Sequence, residues 1–241
     1  MVGLVSNQGS RTVRRCPWRL VPAGRSRGFT LLETALATVI IGVGVLAMIE
    51  AQASFTRTND FSSNSATGNY LANELRERMH RLPRHDPVSG LYTIVAGGSS
   101  TVRGWGAEAG ENGILDYDDL DDFDGAVFGA GGAFAGPVDA TGTVLQEISD
   151  SGAPVLDEQE QSVPLRGWSQ RVSVEKVDPQ NVATVRDGSY SRAAIGTTFA
   201  GLTVGQFPLR VTITVRFQGP LDTEPHEMAK LVFIAPFSPT N

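Results

Sequence analysis

The sequence predicts an α+β protein in which one long amino-terminal helix carries a carboxy-terminal antiparallel sheet. Three observations predict it. Residues 29–49 form a run of 21 residues in which Glu33 is the only charge. Farther on, Tyr70 or Leu71, then Leu75, Met79 and Leu82 recur at helical spacing. Near the end, Leu209, Val211, Ile213, Val215 and Phe217 alternate strictly with Arg210, Thr212, Thr214, Arg216 and Gln218, as a half-buried strand does.

The apolar run fixes the first element. A helix of 21 residues at 1.5 Å per residue spans about 31 Å, the thickness of a hydrocarbon core. Ahead of it, residues 1–27 hold Arg11, Arg14, Arg15, Arg19, Arg25 and Arg27 and no acid. Basic residues on that side predict a cytoplasmic amino terminus and an exported remainder. The other 14 basic and 26 acidic residues leave 28–241 at −12, a poor match for nucleic-acid phosphates. Cys16 is the single cysteine, which excludes an intramolecular disulfide and the cysteine-based structural zinc sites. A cleaved secretory signal is a competing reading, with Ala51-Gln52-Ala53 as its cut site. Against it, the run far exceeds a signal peptide's apolar region of roughly 7–15 residues and contains a carboxylate.

The residues at the head of the run, Gly28-Phe29-Thr30-Leu31-Leu32-Glu33, resemble the cleavage and methylation motif of type IV prepilins and type II secretion pseudopilins. That resemblance implies a cut by a prepilin peptidase between Gly28 and Phe29 and N-methylation of Phe29. It implies removal of a 1–28 leader, a 213-residue mature chain and Glu33 as the family's fifth-position glutamate. It further implies a subunit that waits in the inner membrane with a cytoplasmic leader and exported head. The subunit then joins a periplasmic or cell-surface filament through helix contacts with other pilins. In that setting Glu33 attracts the α-amine of a neighbouring Phe29 and sets register, because a buried charge without a partner is costly. The small residues Ala35, Ala37, Gly42, Gly44 and Ala47 permit close helix approach. Many major pilins have a proline where Glu50 falls; this chain has none.

Beyond Glu50 the helix is expected to continue through 50–82 as the backing of the head, ending before Pro83. The Ser/Asn/Thr-rich stretch 54–69 is a weak helix former, where fraying or a break is expected. "YLANELRERMHRL" resembles the stretch that closes the long helix in PilV-type minor pilins, which favours a pilus subunit over a secretion pseudopilin. In the head, 83–241, residues 83–165 are rich in Gly, Asp, Ala and Ser and read as long loops with one short strand at Leu91–Val95. Within 166–236 the expected strands are Trp168–Val177, which ends in the turn Asp178-Pro179-Gln180-Asn181, then 209–217 and Ala229–Ala235. The last two are expected to pair antiparallel.

The densest chemistry is "DYDDLDDFDG". Carboxylates this close repel one another, and calcium would relieve the repulsion by oxygen ligation, with Asp118, Asp119, Asp121, Asp122 and Asp124 as candidate ligands. The EF-hand spacing fails, since placing Gly125 at the loop glycine puts Leu120 at the first ligand position and Gly131 at the last. The plainer alternative is a solvated acidic loop pinned by Tyr117, Leu120 and Phe123. "GAGGAFAG" at 129–136 lacks the spacing and the strand-to-helix context of a phosphate loop. His80 and His85 lie by the helix end, where cations suit the dipole; His226 is the third histidine. No nucleophile sits in a motif such as G-x-S-x-G, so an enzyme is not expected. A function of another class, a signal-anchored extracytoplasmic binding module, would make the acidic loop its working surface.

Overall fold

The computed structural model describes residues 29–197 and 199–237, and it is α+β: one long amino-terminal helix and antiparallel sheet. The chain divides into two compact units between Ser54 and Phe55. Helix α1 runs from Leu31 to Met79. Its apolar part is long and apolar enough to cross a membrane, and every residue from Phe29 to Ser63 is exposed. The hydroxyls of Thr34 and Thr38 donate to the carbonyls of Leu31 and Thr34 at 2.9 and 2.8 Å. Their polar groups are thereby satisfied within the helix, as a hydrocarbon environment requires.

The Ser/Asn/Thr-rich stretch neither frays nor breaks. Thr67 Oγ1 and Asn69 Nδ2 donate to the carbonyls of Ser63 and Ser65, at 3.2 and 2.8 Å, so side chains that could compete with the helix bond along it instead. The helix stops at Met79, three residues before the expected end at Leu82. There Arg81 and Leu82 donate to Arg78 and Met79, tightening the chain into a turn before Pro83.

In the second unit, the helix buries Gly68, Leu71, Ala72, Leu75 and Met79. Tyr70, the alternative to Leu71 in the sequence pattern, is exposed. A Cβ on Gly68 would lie 2.8 Å from Met228 Cβ, so the missing side chain is what lets helix and sheet approach here. The partner surface is a sheet of β3 (Val127–Gly129), β4 (Trp168–Asp178), β6 (Leu209–Phe217) and β7 (His226–Ala235), in that order. The short strand β5 (Asn181–Val185) is paired to β4. All pairs are antiparallel. The expected pairing of the last two strands is found, Val211 facing Phe233 and Ile213 facing Leu231, with β7 beginning three residues earlier than Ala229. Leu209, Val211, Ile213 and Val215 form the buried face of β6, as their alternation requires.

One polar side chain joins the layers. Gln170 of β4 is fully buried, donates from Nε2 to the carbonyls of Leu71 and Val138, and accepts from the Val138 amide at Oε1. Every hydrogen bond it makes goes to backbone, which satisfies an otherwise costly amide in the core.

The region 83–165 is more ordered than a loop. It contains the hairpin β1 (Tyr92–Ala96) and β2 (Ser99–Arg103), a short 3-10 turn at Asp121–Phe123, and β3. The expected strand Leu91–Val95 is thus displaced by one residue and has a partner that sequence reading did not supply. Beyond β3, isolated bridges join Val138 to Val144, Gln146 to Pro164, Ile148 to Pro154 and Leu156 to Ser162. Asp139 and Asp157 close tight turns in this stretch by accepting from amides two and four residues on.

Candidate functional site

Two places carry chemistry. The first is the start of α1. Phe29 and Thr30 precede the helix, and Thr30 Oγ1 accepts from the Glu33 amide at 3.2 Å, the bond of an N-cap threonine to the third helical residue. Glu33 therefore lies in the first turn, where the helix dipole favours an acid. Thr30 and Glu33 have the spacing of a capping box, of which the threonine half is formed. Gly28 and the arginine-rich segment before it lie outside the described residues.

The second is the acidic run, only half of which faces solvent: Asp116, Asp118 and Asp124 are exposed. Tyr117, Leu120 and Phe123 are buried as anchors; the Tyr117 and Phe123 rings meet edge to face at 5.0 Å. Three of the four acids between them are buried too, Asp119 being 1% exposed, Asp121 0% and Asp122 4%, while Asp118 is exposed. The run is fixed at both ends. The Leu120 amide donates to Pro83 O at 3.0 Å, and the Gly125 amide donates to Val172 O of β4 at 3.2 Å. Apolar anchors at every third residue draw Asp119, Asp121 and Asp122 inside with them.

The five aspartates singled out from sequence do not act together. Asp121 Oδ1 lies 2.9 Å from His85 Nδ1, and its Oδ2 accepts from the Gly106 amide. Asp124 accepts from Trp105 Nε1 at 3.2 Å and from the Val174 amide at 2.9 Å. Both are engaged in holding the loop to its surroundings. Asp118, Asp119 and Asp122 instead converge with two glutamates that sequence reading missed. Glu108, Asp119 and Asp122 place one oxygen each within 4.8 Å of one another, and Glu111, Asp118 and Asp122 form a second such trio sharing Asp122.

Glu108 and Glu111 come from "GAEAGENG", a turn in which the Glu108 amide donates to Glu111 Oε2 at 2.8 Å. The only sequence signal was two acids three apart in a glycine-rich turn just ahead of the aspartates. Nothing in that spacing says the turn folds back over them.

The electrostatics follow from burial. Desolvation, then Asp121 and Asp122 beside it, push Asp119 up to about 9. Burial, the adjoining Glu111 and the charges of Asp122 and Asp119 raise Glu108 to about 7. Burial also raises Asp121 to about 7. His85, expected from sequence as a cation near the helix end, is instead buried against Trp105 and Asp121. Desolvation and the neighbouring Arg84 charge hold it down at about 4, so it is neutral at pH 7. Arg84 itself donates to the carbonyls of Gly205 and Phe207, at 3.0 and 2.6 Å.

No family model matches this chain, and neither a curated protein nor a solved structure does.

Proposed function

We propose that this chain is a structural subunit of the type IV pilin class, nearest to PilV-type minor pilins. It is cut after Gly28, N-methylated on Phe29 and assembled through the first half of α1 into a pilus or a related filament. The observation that carries this reading is the junction of Gly28-Phe29-Thr30-Leu31-Leu32-Glu33 to a helix that is apolar on all sides. Twelve large apolar side chains between Phe29 and Ile49 are exposed. A helix apolar all round needs lipid or other helices, and a filament subunit meets both in turn.

Glu33 is the position at which the two environments differ. In the bilayer it lies one turn from the start of the helix, close enough to the interface to reach polar surroundings. In a filament the same carboxylate is matched by the amine of an adjacent Phe29, and subunits out of register leave it buried without a partner. The Thr30 cap and the helix dipole hold it in the first turn in either state.

The test of this role is Glu33→Val, followed for cleavage and for incorporation into filaments sheared from cells. The variant is expected to be cleaved normally and to be absent from the filament fraction. Incorporation at the level of the parent chain would refute the register role.

A further inference from the structure

We propose that Glu108, Asp119 and Asp122 ligate a divalent cation, calcium in preference to magnesium, with Glu111 and Asp118 completing the shell from the more exposed side. This inference does not depend on the filament reading.

Four observations support it. First, the distances suit an ion. Ligand oxygens of a cation bound at about 2.4 Å cannot lie farther apart than about 4.8 Å, the distance across the ion. The three oxygens of each trio lie within 4.8 Å of one another.

Second, the buried oxygens are individually aimed. Asp119 Oδ1 accepts from the amides of Asp121 and Asp122, at 2.8 and 3.2 Å. Asp122 Oδ2 accepts from the amides of Asp118 and Asp119, at 3.0 and 3.1 Å. Each carboxylate is therefore fixed by backbone through one oxygen. The other oxygens, Asp119 Oδ2 and Asp122 Oδ1, are buried and have no hydrogen-bond partner, and neither does either oxygen of Glu108. All four of these unmatched atoms belong to Glu108, Asp119 and Asp122, the residues of the first trio. Native interiors rarely leave such atoms unmatched, and charged ones least of all.

Third, no cationic side chain offsets the charge. Among the described residues, the ion pairs of Arg, Lys and His involve none of these five acids. The half-buried Arg84 and the buried Lys176 are engaged with backbone carbonyls instead, Arg84 with Gly205 and Phe207, Lys176 with Gly188 and Tyr190.

Fourth, the donor set selects the ion. It is all carboxylate oxygen, which suits hard cations and not zinc or copper. Magnesium keeps several waters and takes one or two carboxylates, whereas calcium accepts six to eight oxygens, mono- or bidentate. The two trios together hold five carboxylates, more than the one or two that magnesium takes.

Bound there, the ion would tie the Glu108–Glu111 turn to the acidic run. That run is already fastened to Pro83, just past the turn that follows α1, and to β4.

The competing account is that the carboxyls stay matched by sharing protons. The experiment uses the full chain in detergent, stripped with chelator, and titrates it with Ca2+, Mg2+ and Tb3+. Binding is read by calorimetry and by Tb3+ luminescence sensitised by Tyr117 and Trp105. Calcium is expected to bind with a Kd of about 10⁻³ M or tighter and at least tenfold better than magnesium. At about 100 times Kd it should raise the melting midpoint by about 5–10 °C. Glu108→Gln and Asp122→Asn should each weaken calcium at least tenfold, while the exposed Asp150→Asn leaves it unchanged. Asp122 also holds the loop, whereas both Glu108 oxygens lack a donor, and an unchanged metal-free melting midpoint of Glu108→Gln separates the ligand role from a structural one. A parent chain that binds no calcium at 10⁻² M (about ten times the weakest Kd expected) overturns the proposal. So does a Glu108→Gln chain that binds as tightly as the parent.

Discussion

Asp119 has one oxygen held by two backbone amides and one with no partner, in a side chain almost wholly removed from solvent. Without a metal, such a group can remain only by keeping a proton, and its pKa of about 9 expresses that. The consequence for stability has a definite sign. A carboxyl whose pKa is raised on folding holds a proton that the unfolded chain has already released, so stability falls as pH rises between the two values.

The window is set by neighbours that act oppositely. Below about 6.5 the unfolded histidine takes up a proton that buried His85 refuses. Above about 8, Lys176, lowered by its own burial, favours the folded state as pH rises. Between pH 6.5 and 8, with Glu108 and Asp121 also losing protons near 7, the metal-free head should lose stability with rising pH. The single proton kept by Asp119 corresponds to about 2 kcal/mol across that window. Urea unfolding in chelator at several pH values measures it; a midpoint that is level or rises over the window contradicts the assignment. Calcium affinity should increase over the same range, because binding displaces those protons.

At the scale of elements, α1 does different work along its length. From Phe29 to Ser63 it is exposed, and an added Cβ at Gly42 or Gly44 would meet nothing within 4 Å. At Gly68 the same atom would strike Met228 Cβ at 2.8 Å and come within 3.3 Å of the Met228 backbone. Gly68→Val is therefore expected to destabilise the head by about 1–3 kcal/mol, since overfilling a tight contact forces backbone or β7 to shift. Gly42→Ala and Gly44→Ala should leave head unfolding unchanged, although each improves helix propensity by about 1 kcal/mol. Tryptophan fluorescence from Trp105 and Trp168 during urea unfolding separates the two cases. Equal midpoints for parent and Gly68→Val would show that the helix does not depend on that approach.

The sequence made the regular elements readable because their periodicity is a direct trace of burial. Strict alternation in 209–217 and helical recurrence at Leu71, Leu75 and Met79 survive in the structure as the buried faces of β6 and α1. The partners of β1 and β4 in the glycine- and aspartate-rich region were not readable. Strands such as Ser99–Arg103 and Val127–Gly129 are short, and β2 is exposed along nearly its whole length, so no apolar pattern marks them. The acidic run shows the same limit within one site. Composition pointed to the aspartates, but which carboxylates meet depends on a chain reversal that brings Glu108 and Glu111 to them.

Taken whole, the chain combines a segment long and apolar enough to cross a membrane with a head that has its own core. The head's stability rests on Leu71, Leu75 and Met79 against β4 and β6, on Gln170 between the layers and on the buried acidic centre. The filament reading rests on the other end of the molecule, on Phe29, Glu33 and the glycine before them. These two claims fail separately, since calcium binding requires no filament and cleavage requires no calcium. The most direct test of the central claim is the intact mass of the amino terminus after co-expression with a prepilin peptidase. The account predicts loss of residues 1–28 and one added methyl group on Phe29. An uncut amino terminus, or a chain beginning at Ser54, would contradict it.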